Sequence, residues 1–374
     1  PEYLQVYHEA LQYLQDPILP VRAHGLHLLT RLVSRVARNH SAKCYGDELD
    51  HALIPEIFDL FLHAIQDDES FLYLNAVQGL AQMAMSWRDA VLRPLMAMYV
   101  GGDKTQDGMS HALSYGQELT QRETDQRLRI GEAILQVLQH LGEAVVSELD
   151  RIVPPLLTAV RNPLFSATLR SSFISILGTC VEIAPTALAA DRSSVHMVHM
   201  CTELIQATTE RRAIRQRSRV RASVQGVGAG GEVTERSLDD EDEEEAMWER
   251  EATSGTDRDV HRPQLRRAAL LLLLMLLRAT QEQLDDYRES CERDLDDIDA
   301  PLSALRLPGG GVLPDVHGRA KPTLPPLLVP VDVLGSVMPV VTYMAQEEAD
   351  NVVRVQAQDC IDHIRLVELA YIGL

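Results

Sequence analysis

The stretch DQRLRIGEAILQVLQHL, Asp125–Leu141, decides the fold. Ile130, Ala133, Ile134, Val137, Leu138 and Leu141 fall at i, i+3, i+4, i+7, i+8 and i+11, one apolar stripe on a 3.6-residue helix. An aliphatic–arginine pair, Leu128–Arg129, opens the stripe, with Asp125 upstream as a candidate cap. A carboxylate there accepts from the free N–H groups of a helix start.

The same unit recurs along the chain. Val21–Arg22, Leu169–Arg170, Leu265–Arg266 and Val353–Arg354 repeat the opening, and Leu74–Asn75 is a degenerate copy. Asp16, Asp68, Asn162, Asp259 and Asp350 stand upstream as turn or capping residues. Stripes follow at Val77, Leu80, Ala81 and Ala84, at Leu169, Phe173, Ile176, Leu177 and Cys180, and at Val353, Ala357, Cys360, Ile361 and Ile364.

A second kind of helix precedes several of these and carries a proline: Pro55, Pro94, Pro154 and Pro339. Proline lacks an N–H and clashes with the carbonyl four residues back, so it starts or bends a helix. The expected pairs are 3–15 with 18–37, 49–66 with 71–86, 89–100 with 125–141, 145–161 with 166–183, 193–210 with 261–280, and 331–346 with 350–366. Helix pairs at a spacing of about 40–50 residues are the HEAT pattern. No single pair buries its own apolar face, so pairs stack. The expected fold is all-α: an α-solenoid of about six HEAT/armadillo-like helix pairs with disordered insertions.

The expected organisation follows the composition. Residues 1–210 hold about four and a half HEAT-like helix pairs, with a polar, Gly-rich loop at 101–124. Residues 211–260 form a charged insert: Arg211, Arg212, Arg215, Arg217, Arg219 and Arg221 precede Gly226–Gly231, and the acids Asp239–Glu245 follow. Such sequence buries too little to offset its ordering entropy. Residues 261–280 continue the repeat. Residues 281–330 are an acidic, then Pro/Gly-rich linker whose first part can still be helical, and 331–374 make a last pair.

The chain has 374 residues and a net charge of −20. That acidity argues against nucleic acid as a partner, because phosphate contacts need a basic face. Aromatics at 5 % leave little for base stacking. Cys44, Cys180, Cys201, Cys291 and Cys360 are odd in number and widely spaced, which argues against a disulfide framework. The apolar run Ala268–Leu277 is too short to span a bilayer, so no membrane span is expected. The chain opens on Pro1 rather than Met, and we expect it to be a piece of a longer protein.

Candidate chemistry is sparse. Gly226, Gly228 and Gly231 match G-x-G-x-x-G, but an arginine run precedes them instead of a strand, so a flexible linker is the better reading. His196, His199 and Cys201 form H-x-x-H-x-C without a second ligand cluster, and Val195, Val198 and Met200 read as packing. His24 and His27 read as solvent-side or inter-repeat positions. No catalytic triad order, Walker loop or H-E-x-x-H occurs. We expect no enzyme, no catalytic residue, no cofactor and no metal.

Two segments carry a family resemblance: DPILPVRAHGLHLLTRLV (Asp16–Val33) and IFDLFLHAIQDDESFLYLNAVQGLAQMA (Ile57–Ala84). They resemble the C-terminal region of the RNA polymerase II assembly factor family, required for nuclear transport of RNA polymerase. Its animal members are called transport and Golgi organisation proteins. LRRAALLLLLMLLRAT (Leu265–Thr280) resembles that family's second, short C-terminal motif. The motif positions here are Val21, Arg22, Gly25, Leu26, Asp67, Asp68, Leu74, Asn75, Gly79, Leu80, Arg266 and Arg267, with structural or partner-binding roles. The resemblance implies a scaffold for assembly and nuclear import of RNA polymerase II. It also implies RNA polymerase II subunits, nucleoporins or import machinery as partners, and a cytoplasmic protein shuttling to the nucleus. The family's second label implies a secretory trafficking and Golgi organisation factor with vesicle coat components as partners.

Overall fold

The computed structural model describes residues 2–41, 53–67, 69–101, 119–206, 263–296 and 324–373. The insert at 211–260, the glycines Gly226–Gly231, Asp68 and Asp259 lie outside the described residues. Every regular element described is helical: α1 (Glu2–Leu14), α2 (Leu19–Ser41), α3 (Leu53–Ile65), α4 (Ser70–Ser86), α5 (Arg88–Val100), α6 (Gln121–Leu141), a 3₁₀ turn (Gly142–Glu148), α7 (Leu149–Arg161), α8 (Ala167–Ile183) and α9 (Pro185–Ala190). After them come α10 (193–206), α11 (Pro263–Asp296), α12 (Val331–Glu347) and α13 (Asn351–Ile372). The chain divides into two compact units. The first takes in α1–α8, the second α9, α12 and α13, and α10 and α11 are shared between them.

In the first unit, α1 packs on α2, α3 on α4, α5 on α6 and α7 on α8. The second helix of each pair also packs on the next, α2 on α4, α4 on α6 and α6 on α8. This is the nearest-neighbour stacking of an α-solenoid. The buried stripes are those of the sequence: Ile134, Val137 and Leu138 on α6, and Leu169, Phe173 and Leu177 on α8, are fully buried. Aromatic rings fasten α5 to α8: Tyr99 meets Phe173 edge-on at 4.7 Å, and its hydroxyl lies 2.6 Å from Ser172 Oγ. Burial holds the Tyr99 phenol well above its usual range. Pro94, Pro154 and Pro155 sit inside α5 and α7, the first helices of their pairs.

The turns between paired helices share one device. An Asp or Asn Oδ1 accepts from the backbone N–H two residues on: Asp16 from Ile18 at 2.8 Å, Asp67 from Glu69 at 3.1 Å, Asn162 from Leu164 at 3.0 Å and Asp350 from Val352 at 2.9 Å. A short polar side chain supplies the turn that the backbone cannot satisfy alone. One expected cap is corrected. Asp125 lies inside α6, which starts at Gln121 behind Thr120. Thr120 Oγ1 accepts from the Glu123 N–H at 3.3 Å, and Glu123 Oε2 accepts from the Thr120 N–H at 2.8 Å. This reciprocal box satisfies two free donors, so the helix begins four residues ahead of the expected 125.

In the second unit, α12 packs on α13. Helix α11 continues through 281–296, beyond the expected 280. Leu284 is buried there, and Gln283 Oε1 and Thr280 Oγ1 accept the Leu328 and Val329 N–H groups at 2.9 and 3.1 Å. The returning segment 324–330 thus gives this helical stretch something to pack against. Cys180 on α8 and Cys360 on α13 are buried, and burial pushes each thiol up to about 12. The thiolate is the reactive form, so both are expected to resist iodoacetamide at pH 8 in the folded chain and to label after unfolding. Mass spectrometry of native labelling at either site would contradict this packing.

Candidate protein-binding groove

Two motif residues, Arg22 and Asp67, meet at the turn between α3 and α4. Arg22 Nη1, from the opening of α2, donates to Asp67 Oδ2 at 3.3 Å. Arg129 Nη1, from the opening of α6, donates to the Asp67 carbonyl at 2.7 Å and the Gln66 carbonyl at 3.3 Å. Arg170, at the same place on α8, donates through Nε to the Val160 carbonyl near the end of α7 at 2.7 Å. The last carbonyls of a helix lack partners and carry the negative end of its dipole, so a guanidinium suits them. At Arg22, Arg129 and Arg170 the recurring arginine is therefore a clip between helices, whereas Arg354 bonds to Asn351 in its own helix. About a third of each side chain in the Arg22–Asp67 pair is exposed, which keeps that ion pair to about 1 kcal/mol or less.

The other motif positions divide between packing and surface. Leu26 and Leu80 are fully buried. Gly25 lets α2 approach α1, since a Cβ there would lie 2.9 Å from the Ala10 carbonyl oxygen. Gly79 lets the Phe61 ring of α3 press against α4, where a Cβ would meet it at 2.2 Å. Val21 is half-buried and Leu74 exposed. Asn75 bonds back to the Phe71 carbonyl in its own helix at 2.8 Å, so the degenerate copy makes no such clip. Arg266 is buried and Arg267 half-buried near the start of α11.

Beside these residues, the outward faces of α2, α4 and α6 form an open groove of about 970 Å³. Helix α2 contributes His27, Thr30, Arg31 and Ser34, α4 contributes Gln78, Gln82 and Met85, and α6 contributes Gln136, Gln139 and His140. A polar chain crosses it. Ser34 Oγ donates to the Thr30 carbonyl at 2.8 Å and stands 3.4 Å from Gln82 Oε1. Gln82 Nε2 donates to His140 Nε2 at 3.0 Å. Val77 and Ala81 form the floor. Among the described residues no Asp or Glu lines the groove, in a chain with 55 acids against 35 bases.

A smaller cleft of about 500 Å³ lies between α5 and α7. Arg151 bonds to Asp89 across it and to Glu148 beside it.

His27 is a solvent-side residue within the groove, and His24 is exposed with its ring 5.3 Å from that of Tyr13. The floor residues Val77 and Ala81 were read from the sequence as an apolar stripe, and the polar lining residues other than His27 were not singled out. Three helices some 50 residues apart supply them, and each reads there as an ordinary solvent-facing position. The available signal was Gln78 with Gln82, and Gln136 with His140, at i, i+4 opposite the apolar stripe. His196 and His199 are exposed and Cys201 is buried, so those three do not converge. Among the described residues no group of three or more His, Cys, Asp or Glu is placed to hold a metal ion. Among them, too, no helix is long and apolar enough to cross a membrane.

Residues 7–144, which carry α1–α6 almost whole, match the family model described as "Required for nuclear transport of RNA pol II C-terminus 1". RNA polymerase II assembly factor RTP1 of Saccharomyces cerevisiae is 22 % identical over 179 residues, 47 % of this chain and 15 % of the relative. The rtp1 assembly factor of Schizosaccharomyces pombe is 22 % identical over 157 residues, 42 % of this chain and 17 % of the relative. The matched part is thus less than a fifth of either relative's length. Among solved structures, a Kap121p mutant aligns over 97 % of this chain and 29 % of its own at 11 % identity, with a TM-score of 0.38. A designed armadillo repeat protein aligns over 95 % of this chain and 98 % of its own at 11 % identity, with a TM-score of 0.32. Residues 7–144 are thus similar to the C-terminal part of the family required for nuclear transport of RNA polymerase II.

Proposed function

We propose that this chain is a non-enzymatic helical-repeat scaffold that serves assembly and nuclear import of RNA polymerase II through protein–protein contacts. The family match over residues 7–144 carries the reading, because it falls on the helices that build the groove. A stack of helix pairs offers an extended surface made of side chains from several repeats, which suits the handling of large partners. RNA polymerase II subunits and the import machinery are the partners on this reading, and the protein moves between cytoplasm and nucleus.

The test is affinity purification of the tagged chain from cells, with mass spectrometry of what comes with it. RNA polymerase II subunits with nucleoporins or import factors are the expected result. Vesicle coat components in their place would overturn the reading in favour of secretory trafficking. Depletion should also leave polymerase subunits in the cytoplasm by microscopy.

A further inference from the structure

We propose that the groove across α2, α4 and α6 binds an extended, acidic segment of a partner protein. The inference rests on the scaffold reading and adds the chemistry of what the scaffold holds.

The first argument is charge. The chain carries −20 overall, yet among the described residues the groove presents the Arg31 guanidinium and no carboxylate. A carboxylate-bearing segment meets repulsion over most of this protein and attraction here. Complementary potential of this kind sets register and excludes other partners.

The second argument is hydrogen bonding. Gln78 and Gln82 on α4, and Gln136 and Gln139 on α6, are primary amides, each able to donate twice and accept. An extended backbone presents N–H and C=O groups that must find partners when taken from water. Packed helices stand about 8–10 Å apart. An extended chain rises about 3.3 Å per residue. Successive helices therefore meet such a chain about every second or third residue, so amides on neighbouring helices can reach its backbone groups in turn.

The third argument is the floor. Val77 and Ala81 leave room for backbone to lie close, and the exposed Met85 thioether adapts to varied side chains. Single-stranded nucleic acid fits less well. Among the described residues the lining holds no Phe, Tyr or Trp for stacking and one arginine for phosphates.

The experiment uses the whole chain and a fluorescein-labelled peptide of alternating Glu and Ser, read by anisotropy. A Lys–Ser peptide of equal length and an oligouridylate run beside it. The Glu–Ser peptide is expected to bind, to lose about tenfold in affinity on Arg31→Glu, and to lose several-fold on Gln82→Ala with Gln136→Ala. Circular dichroism checks that each variant is folded. Absence of binding overturns the inference, as does binding that Arg31→Glu leaves unchanged. Oligouridylate or Lys–Ser binding that is lost with the same substitutions overturns it too. Capture of polymerase subunits is scored separately. Capture without Glu–Ser binding removes the acidic-segment inference and leaves the scaffold reading standing. Glu–Ser binding without capture does the reverse.

Discussion

Ile134→Asp is expected to destabilise the first unit by about 4–5 kcal/mol or more. Ile134 is fully buried at the centre of the α6 stripe, with Ile130, Val137 and Leu138 beside it. Helix α6 packs against α4, α5 and α8, so its buried stripe belongs to a core that three neighbouring helices share. An aspartate there loses the transfer energy of the isoleucine and leaves a void. It must also bury a carboxylate among aliphatic groups or take up a proton to avoid doing so. Whole domains are stable by about 5–15 kcal/mol, so the loss consumes much of the margin. Ile134→Val keeps the shape and should cost about 1 kcal/mol. Urea and thermal melts followed by circular dichroism check both, and Ile134→Asp melting with the parent would show that α6 buries another face.

Phe61→Ala is expected to cost about 3–5 kcal/mol, and adding Gly79→Ala to recover part of that loss. The Phe61 ring is fully buried and fills the space that Gly79 leaves open on α4. Gly79→Ala alone sets a methyl 2.2 Å from the ring in a packed core, so it should destabilise by about 1–3 kcal/mol. Once the ring is gone, the same methyl fills part of the void and removes a flexible glycine from a helix interior. The two effects therefore couple with opposite sign, and a double-mutant cycle reads the coupling directly. Simple additivity would mean that the helices part to relieve the contact.

The helices were legible because periodicity belongs to one helix at a time. The α6, α8 and α13 stripes read from the sequence are the ones that the structure buries. The turns at Asp16, Asn162 and Asp350 were legible for a similar reason, since each bond closes within three residues. The Thr120–Glu123 box was equally local. It was missed because it lies in a stretch whose glycines and polar residues read as loop.

The motif positions were found as a set without their roles. Arg22 and Arg129 look alike beside an aliphatic residue, and only the fold brings both to the turn at Asp67. Gly79 carries no local sign that Phe61, eighteen positions earlier, needs its missing side chain.

The sequence by itself determined the all-α class, the order of most helices and the apolar face of each, because those follow from spacing within about twenty residues. Tertiary structure alone decided which polar faces line up into a groove and that, among the described residues, its lining holds no acids. It also decided which carbonyls the arginines clip. Those properties depend on side chains some 50 residues apart being brought to one surface, and no single helix encodes its neighbour's exposed side.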